Sequence, residues 1–246
     1  MRIALLFGLP CLLSAQLIPA GAPIPKGPNP PAVFLNGYQS PCDGADFAGT
    51  FGSADQVLQA SGIAAVFFNN CSVTAASGKP TIEALGIAFG QFLAGLRYTD
   101  GTPVPQVDVV AHSMGGLIVR SYLAGKLDVS PSTYAPPATT AVRKAIFIAT
   151  PHFGTPLASF LGTDVQTAEM SPGSQFLIDL NTWNGGLDDL RGVDALSIAG
   201  SGGTGMESSG GAGFDDGVAA LTSASLSFVH TARTRIVPAC HASISL

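Results

Sequence analysis

The chain has 246 residues, 46% hydrophobic and 11% charged, with 16 acidic against 11 basic side chains and a formal net charge of −5. That apolar content suits one compact domain with a full core and is unlike a disordered or collagenous chain. No Lys/Arg cluster occurs anywhere in it, which removes the electrostatic footprint needed to hold a phosphate backbone and excludes nucleic acid as a partner.

Arg2 precedes the apolar run 3–13, and the small residues Ser14 and Ala15 follow. This is the pattern of a cleaved secretory signal, taken as residues 1–20, and it implies a secreted or periplasmic location. The run is too short to span a bilayer comfortably, and no other stretch reaches about 18 continuous apolar residues. Pro10 stands before Cys11, where a lipid-attachment signal wants a small residue, so lipidation is disfavoured. Residues 21–31 hold five prolines. A segment so poor in amide donors makes neither a helix nor a central strand, and it reads as a linker into a domain spanning 32–246.

Beyond the linker, short β-branched or aromatic runs alternate with helix-like segments. The runs 32–35, 63–68, 107–111, 145–149, 195–199 and 234–237 read as six strands. Their near-continuous apolarity fits a mostly parallel sheet covered on both faces, with helices as crossovers. The clearest helix has Thr81 as N-cap and Glu83 in its first turn, with Ile82, Leu85, Phe89, Phe92, Leu93 and Leu96 at helical spacing. Residues 53–60 and 114–124 are two more helices, the latter closed by Gly125 as a left-handed cap. The fold class is α/β, doubly wound, and the Gly/Ser-rich stretch 200–213 is a loop within it.

With the signal removed, Cys42, Cys71 and Cys240 remain, which suggests one disulfide and one leftover thiol. Cys42 and Cys71 each follow a strand at the same end of the sheet, so their loops can meet, and they are the expected pair.

The strand 107–111 runs into Ala111-His112-Ser113-Met114-Gly115-Gly116-Leu117 and then into a helix. A serine on a strand-to-helix turn between very small neighbours is a nucleophile elbow. The turn is strained and projects the serine from the sheet edge, so the positions two before and two after it must be small, as Ala111 and Gly115 are. The segment resembles the elbow of the α/β-hydrolase lipases and esterases, particularly those that carry Ala-His-Ser-Met-Gly-Gly. Further islands of likeness run from Asn36 to His241. They include Thr150-Pro151-His152-Phe153-Gly154-Thr155-Pro156, also similar to deacylases of glycosylated inositol lipids, and the stretch from Ser171-Pro172-Gly173-Ser174 to Leu180-Asn181.

The resemblance implies Ser113 as nucleophile, followed along the chain by an acid and then a histidine. Asp216, in Asp215-Asp216-Gly217-Val218, lies past the strand 195–199, where the family places its acid, with Asp215 as the competitor. Of the four histidines, His241 follows the last strand and takes the place of the general base. His112 is expected to point away from Ser113 in a packing or support role, His152 to be structural or to line the pocket, and His230 to be exposed. Five residues follow His241, where the family usually has a helix. The oxyanion donors are the amides of Met114 and of Tyr38, the latter in Leu35-Asn36-Gly37-Tyr38, with an ordinary β-turn as the other reading of that loop.

The proline-rich start leaves no room for the antiparallel pair that opens the full family sheet, so the expectation is a trimmed α/β-hydrolase of about six strands. Residues 151–192, rich in Phe, Leu, Met and Trp, are read either as a pocket wall or lid or as ordinary helix packing. No metal-ligand spacing, P-loop or dinucleotide fingerprint occurs, so neither cofactor nor metal is expected. The implied function is a secreted serine hydrolase of carboxylic esters, a lipase or carboxylesterase, with an ester or lipid substrate and transient contact at a lipid interface. The alternatives are an acyltransferase or lipid deacylase built on the same triad, and a non-catalytic exported binding module in which His241 is not held against Ser113.

Overall fold

The structure, a computed structural model, describes residues 17–42, 46–130, 132–184, 190–203, 214–227, 229 and 232–245. Six strands, β1 (Ala32–Leu35), β2 (Ala65–Phe68), β3 (Val107–His112), β4 (Val142–Ile148), β5 (Asp194–Gly200) and β6 (Arg233–Val237), form one sheet in the order β2-β1-β3-β4-β5-β6. Every neighbouring pair is parallel. The six expected strands are therefore all present, and the sheet is wholly parallel.

Side-chain alternation along the strands divides the core in two. Val33 and Leu35 of β1, with Val66 and Phe68 of β2, join the main cluster with α3 (Ile82–Gly95) and α4 (Met114–Ala124). Ala32, Phe34 and Ala65 face the other way, onto Phe47 and Phe51 of α1 (Phe47–Phe51), while Leu58 of α2 (Ala54–Ala60) packs at the edge of that second cluster. The Phe34 ring meets Phe47 and Phe51 edge-on at 5.0 and 4.9 Å. Such pairs add about 1 kcal/mol each beyond simple burial.

Helix α3 begins as its sequence dictates. The Thr81 hydroxyl accepts from the Ala84 amide at 3.0 Å, and Ile82, Leu85, Phe89 and Leu93 are all buried. Helix α4 ends at Gly125, whose φ of 63° is left-handed. Strand boundaries shift for identifiable reasons. Ile63 sends its amide back to the Leu58 carbonyl at 3.0 Å, closing the end of α2, so β2 starts two residues later than expected. Strand β4 starts earlier, at Val142, because Arg143 is neutralised across the ladder by Asp108 at 2.6–2.9 Å. Strand β6 likewise opens on an arginine, Arg233, paired with Asp194 of β5 at 2.8 Å. As the edge strand, β6 is not buried on both faces, and its Ile236 is 57% exposed.

The proline-rich segment 21–31 lies against the domain. Ile24 is fully buried; its amide donates to Arg97 O at 2.8 Å and its carbonyl accepts from Thr99 at 3.0 Å. Ile18 donates to Ala65 O at 3.0 Å, extending this contact upstream. Of the segment 1–20 expected as a signal, residues 1–16, with the whole apolar run 3–13, lie outside the described residues, as does most of the glycine-rich stretch, 204–213. No described helix is long and apolar enough to cross a membrane.

Cys42 and Cys71 are disulfide-bonded across a sequence separation of 29, as expected, and Cys240 is free and exposed. Closing a loop of that length removes chain entropy from the unfolded state worth about 3.6 kcal/mol. Replacing both cysteines by serine is expected to lower Tm by roughly 10 °C in thermal denaturation, with the folded spectrum unchanged.

Candidate active site

The C-terminal ends of five parallel strands converge on Ser113. It holds a φ of 53°, a left-handed backbone that costs a non-glycine residue energy and turns the chain sharply from β3 into α4. Close packing keeps the turn in place. A Cβ on Gly115 would come within 2.7 Å of Asn36 O, and one on Gly116 within 2.1 Å of the Thr150 hydroxyl. The need for a small residue at 115 follows from the elbow pattern. The need at 116 arises from the loop after β4 and has no signature in the local sequence.

His241 Nε2 lies 2.9 Å from Ser113 Oγ, and its Nδ1 lies 2.8 Å from Asp216 Oδ2. With a carboxylate facing Nδ1, that nitrogen carries the proton and Nε2 accepts from the serine hydroxyl. Asp216 is 1% exposed, and its other oxygen accepts from the Val218 and Ala219 amides at 2.9 and 2.7 Å. The alternative acid, Asp215, instead accepts from the Gly217 amide at 2.8 Å and shapes the turn.

The segment after β6 is a run of turns, yet His241 is held from several directions. Its amide donates to Asp216 O at 2.8 Å, its carbonyl accepts from His112 Nε2 at 3.0 Å, and farther along the Ser245 hydroxyl donates to Thr50 O at 2.6 Å. His112 therefore does not point away, as the sequence reading expected. Its ring lines the cavity 5.0 Å from the His241 ring, and the support role expected of it takes the form of a hydrogen bond to the His241 backbone. The positive φ at Ser113 brings both side chains to the same end of the sheet.

His152 is fully buried and absent from the cavity wall. Its amide donates to Thr150 O and Ser223 O, both at 2.9 Å, and its ring meets Phe147 edge-on at 5.3 Å. Its Nδ1 lies 3.5 Å from Arg120 of α4, which in turn donates to Asn181 Oδ1 at 2.9 Å. Of the two roles considered for His152, the structural one applies. Burial first, and then the Arg120 charge, hold its pKa well below the usual imidazole value, so it is neutral. His230 lies outside the described residues.

The loop after β1 passes directly over the serine. A Cβ on Gly37 would sit 2.8 Å from Ser113 Cβ, so only glycine allows this approach. Asn36 holds the loop down through a reciprocal pair with Asn70. Asn36 Nδ2 donates to Asn70 Oδ1 at 3.2 Å, the Asn70 amide donates to Asn36 Oδ1 at 3.2 Å, and Asn70 Nδ2 donates to the carbonyls of Asn36 and Gly37 at 3.1 and 2.8 Å. Asn70 belongs to the turn that carries Cys71, a partner invisible to local sequence reading. Met114 follows Ser113 at the start of α4, and Tyr38 follows Gly37 on the loop that passes over the serine.

Above Ser113 and His241 opens a cavity of about 230 Å³, walled on its apolar side by Pro151, Leu161, Met170 and Val218. The segment 151–192 contributes α5 (Ala158–Leu161), α6 (Val165–Met170) and α7 (Gln175–Thr182). Leu161 and Met170 line the cavity, whereas Phe176, Leu177 and Leu180 pack into the main core, so wall and core packing divide the segment between them. Among the described residues no group of three or more His, Cys, Asp or Glu side chains is placed to hold a metal ion.

Burial first, and then the neighbouring His241, lower the His112 pKa from its ordinary 6.5 to about 4. An imidazole kept neutral in the native state favours folding fully above about pH 6.5, and that contribution drains away as the pH falls toward 4, where the unfolded chain takes up the proton first. In urea unfolding across this window, His112→Asn is expected to reduce the loss of stability by roughly 3 kcal/mol relative to the native chain.

Residues 91–186 match the family described as Lipase (class 2). Among solved structures, the mature lipase BlEst2 of Bacillus licheniformis is 18% identical with a TM-score of 0.61, covering 92% of this chain and 91% of that one. EstA of Clostridium botulinum is 13% identical with a TM-score of 0.57, covering 91% of this chain and 84% of its own. Phospholipase PlaB of Legionella pneumophila is 18% identical with a TM-score of 0.59, and the match spans 79% of this chain but only 45% of PlaB. No curated protein matches in sequence. The chain thus has the α/β-hydrolase fold of the lipases and esterases, and its central residues 91–186 carry the sequence pattern of the class 2 lipases.

Proposed function

We propose that this protein is an exported serine hydrolase of carboxylic esters that works through an acyl-enzyme. The observation that carries the reading is the unbroken chain from Asp216 through His241 to Ser113, at 2.8 and 2.9 Å, opening onto a partly apolar cavity. Ser113 Oγ attacks the ester carbonyl carbon while its proton passes to His241 Nε2. The negative charge on the carbonyl oxygen is received by the amides of Tyr38 and Met114. Collapse of the tetrahedral intermediate expels the alkoxide, which takes the proton from His241, and leaves the acyl group on Ser113. Water then adds to the acyl carbon, giving its proton to His241, and the carboxylic acid leaves as Ser113 regains its hydrogen. The two backbone amides that donate to Asp216 orient it toward the imidazole.

The several contacts that hold His241 favour the hydrolase over a binding module, which required a loosely held histidine. The apolar wall of Pro151, Leu161, Met170 and Val218 beside Ser113 suits the acyl part of an ester. The Cys42–Cys71 bond and the apolar leader pattern support export to an oxidising compartment.

A fluorophosphonate ester is expected to label the purified protein at Ser113 and nowhere else, as mapped by peptide mass spectrometry. Ser113→Ala and His241→Ala should each lower kcat on p-nitrophenyl butyrate by about 10⁶, and Asp216→Asn by about 10⁴. A folded protein that neither labels nor turns over any p-nitrophenyl ester is not an ester hydrolase. On a series of p-nitrophenyl esters, lengthening the acyl chain beyond acetyl should raise kcat/KM, as the apolar wall of Leu161 and Met170 takes up the added methylenes.

A further inference from the structure

The amide of Tyr38 sits on the loop over the serine, while its side chain reaches the opposite wall of the cavity. The Tyr38 hydroxyl donates to Asp164 Oδ2 at 2.8 Å, across 126 residues of sequence. Asp164 is the N-cap of α6, its other oxygen accepting from the Thr167 amide at 3.1 Å. It therefore stands between Leu161 and Met170, the two cavity-lining residues of that wall. Lys79, just ahead of α3, completes the arrangement. Its ammonium lies 3.0 Å from Asp164 Oδ2, 3.8 Å from the centre of the Tyr38 ring, and donates to the Gln39 carbonyl. Gly162 leaves room for this crossing, since a Cβ there would come within 2.8 Å of the Tyr38 hydroxyl.

Three segments distant in sequence are thus joined at one point by a charge-assisted hydrogen bond, an ion pair and a cation–π contact, all partly shielded from water. Burial on its own would raise the Asp164 pKa. Hydrogen bonds from Tyr38, Thr167 and Lys79, with the Lys79 charge, more than offset it and hold the carboxyl below its usual range, so the group is ionised at neutral pH. The inner end of the same loop is tied by the Asn36–Asn70 pair. Its outer end has these three side chains.

We infer that Lys79, Tyr38 and Asp164 form a latch that positions the oxyanion loop by locking it to the α5–α6 wall of the cavity. The inference rests on the proposed hydrolase reading for its catalytic consequence and on geometry alone for the coupling. None of the three side chains touches the reacting atoms. They act through the Tyr38 amide, whose placement matters because a donor displaced by about 1 Å costs up to 10²-fold in rate.

The test uses the full-length mature protein and the variants Tyr38→Phe, which keeps the amide, Lys79→Met, Asp164→Asn and the double variant Tyr38→Phe/Asp164→Asn. Steady-state kinetics on p-nitrophenyl butyrate are read beside hydrogen exchange of peptides covering 36–40 and 158–170. Each single variant is expected to lower kcat about tenfold with KM within about twofold, and the double variant no further than the worse single, because both remove one contact. Amide exchange should quicken in both peptides together in every variant. Unchanged kcat, a change confined to KM, additive losses in the double variant, or faster exchange in one peptide alone would each overturn the latch. Should the native protein turn over no ester, the hydrolase reading falls, and the paired exchange response still decides the latch.

Discussion

The left-handed backbone at Ser113 is the constraint on which the rest of the site depends. A φ of 53° on a non-glycine residue is held only because its surroundings over-determine it. The Ser113 amide donates to Ile148 O at 2.8 Å, Gly115 lies against the end of β1, and Gly116 against the loop after β4. These contacts need β3 flanked by β1 and β4, which is the order the sheet adopts. The strand order and the elbow therefore specify each other: the parallel sheet supplies the crowding, and the crowding holds the serine out over the strand ends, where ligands bind in open α/β sheets.

From that arrangement each functional group takes its place at the same end of the sheet. The loop carrying Asn36 and Gly37 follows β1, Ser113 follows β3, Pro151 of the cavity wall β4, Asp216 β5 and His241 β6. Behind the site, a few buried polar ties stiffen an otherwise apolar interior. Arg120, 1% exposed, links α4 to α7 through Asn181 and faces His152. Lys126, also buried, pairs with Glu83 of α3 at 2.9 Å and Asp179 of α7 at 3.5 Å. Burial pulls the Lys126 pKa down, but the Glu83 and Asp179 carboxylates outweigh it and leave the group firmly charged. Buried charges of this kind contribute little net stability, and breaking one leaves its partner unsatisfied, so they act mainly to set how the helices lie on one another.

How far the sequence could be read differs from element to element. Helix α3, with its Thr81 cap and apolar stripe, and helix α4, running from Ser113 to Gly125, were legible because caps and 3.6-residue periodicity are local. The starts of β4 and β6 are not legible in the sequence, because Arg143 and Arg233 look wrong for a strand until Asp108 and Asp194 stand beside them. The short helices α5 and α6 escaped notice for a related reason, since at four to six residues each depends on its neighbours more than on its own periodicity. The side taken by His112 is not legible in the sequence, because local turn geometry says nothing about a chain that returns 129 residues later.

The sequence by itself determined the α/β class, the six strands and the serine at the elbow. These follow from side-chain period, cap chemistry and the steric demands of a turn, which all act between residues a few positions apart. Only the tertiary structure set Asp216 against His241, gave Asn36 its partner in Asn70, held His241 through His112 and joined Tyr38 to Asp164. Each of these is a contact between segments 25 to 129 residues apart. Their pairing is selected when the sheet closes and brings the strand ends together, and no local pattern of residues encodes which loops will then meet.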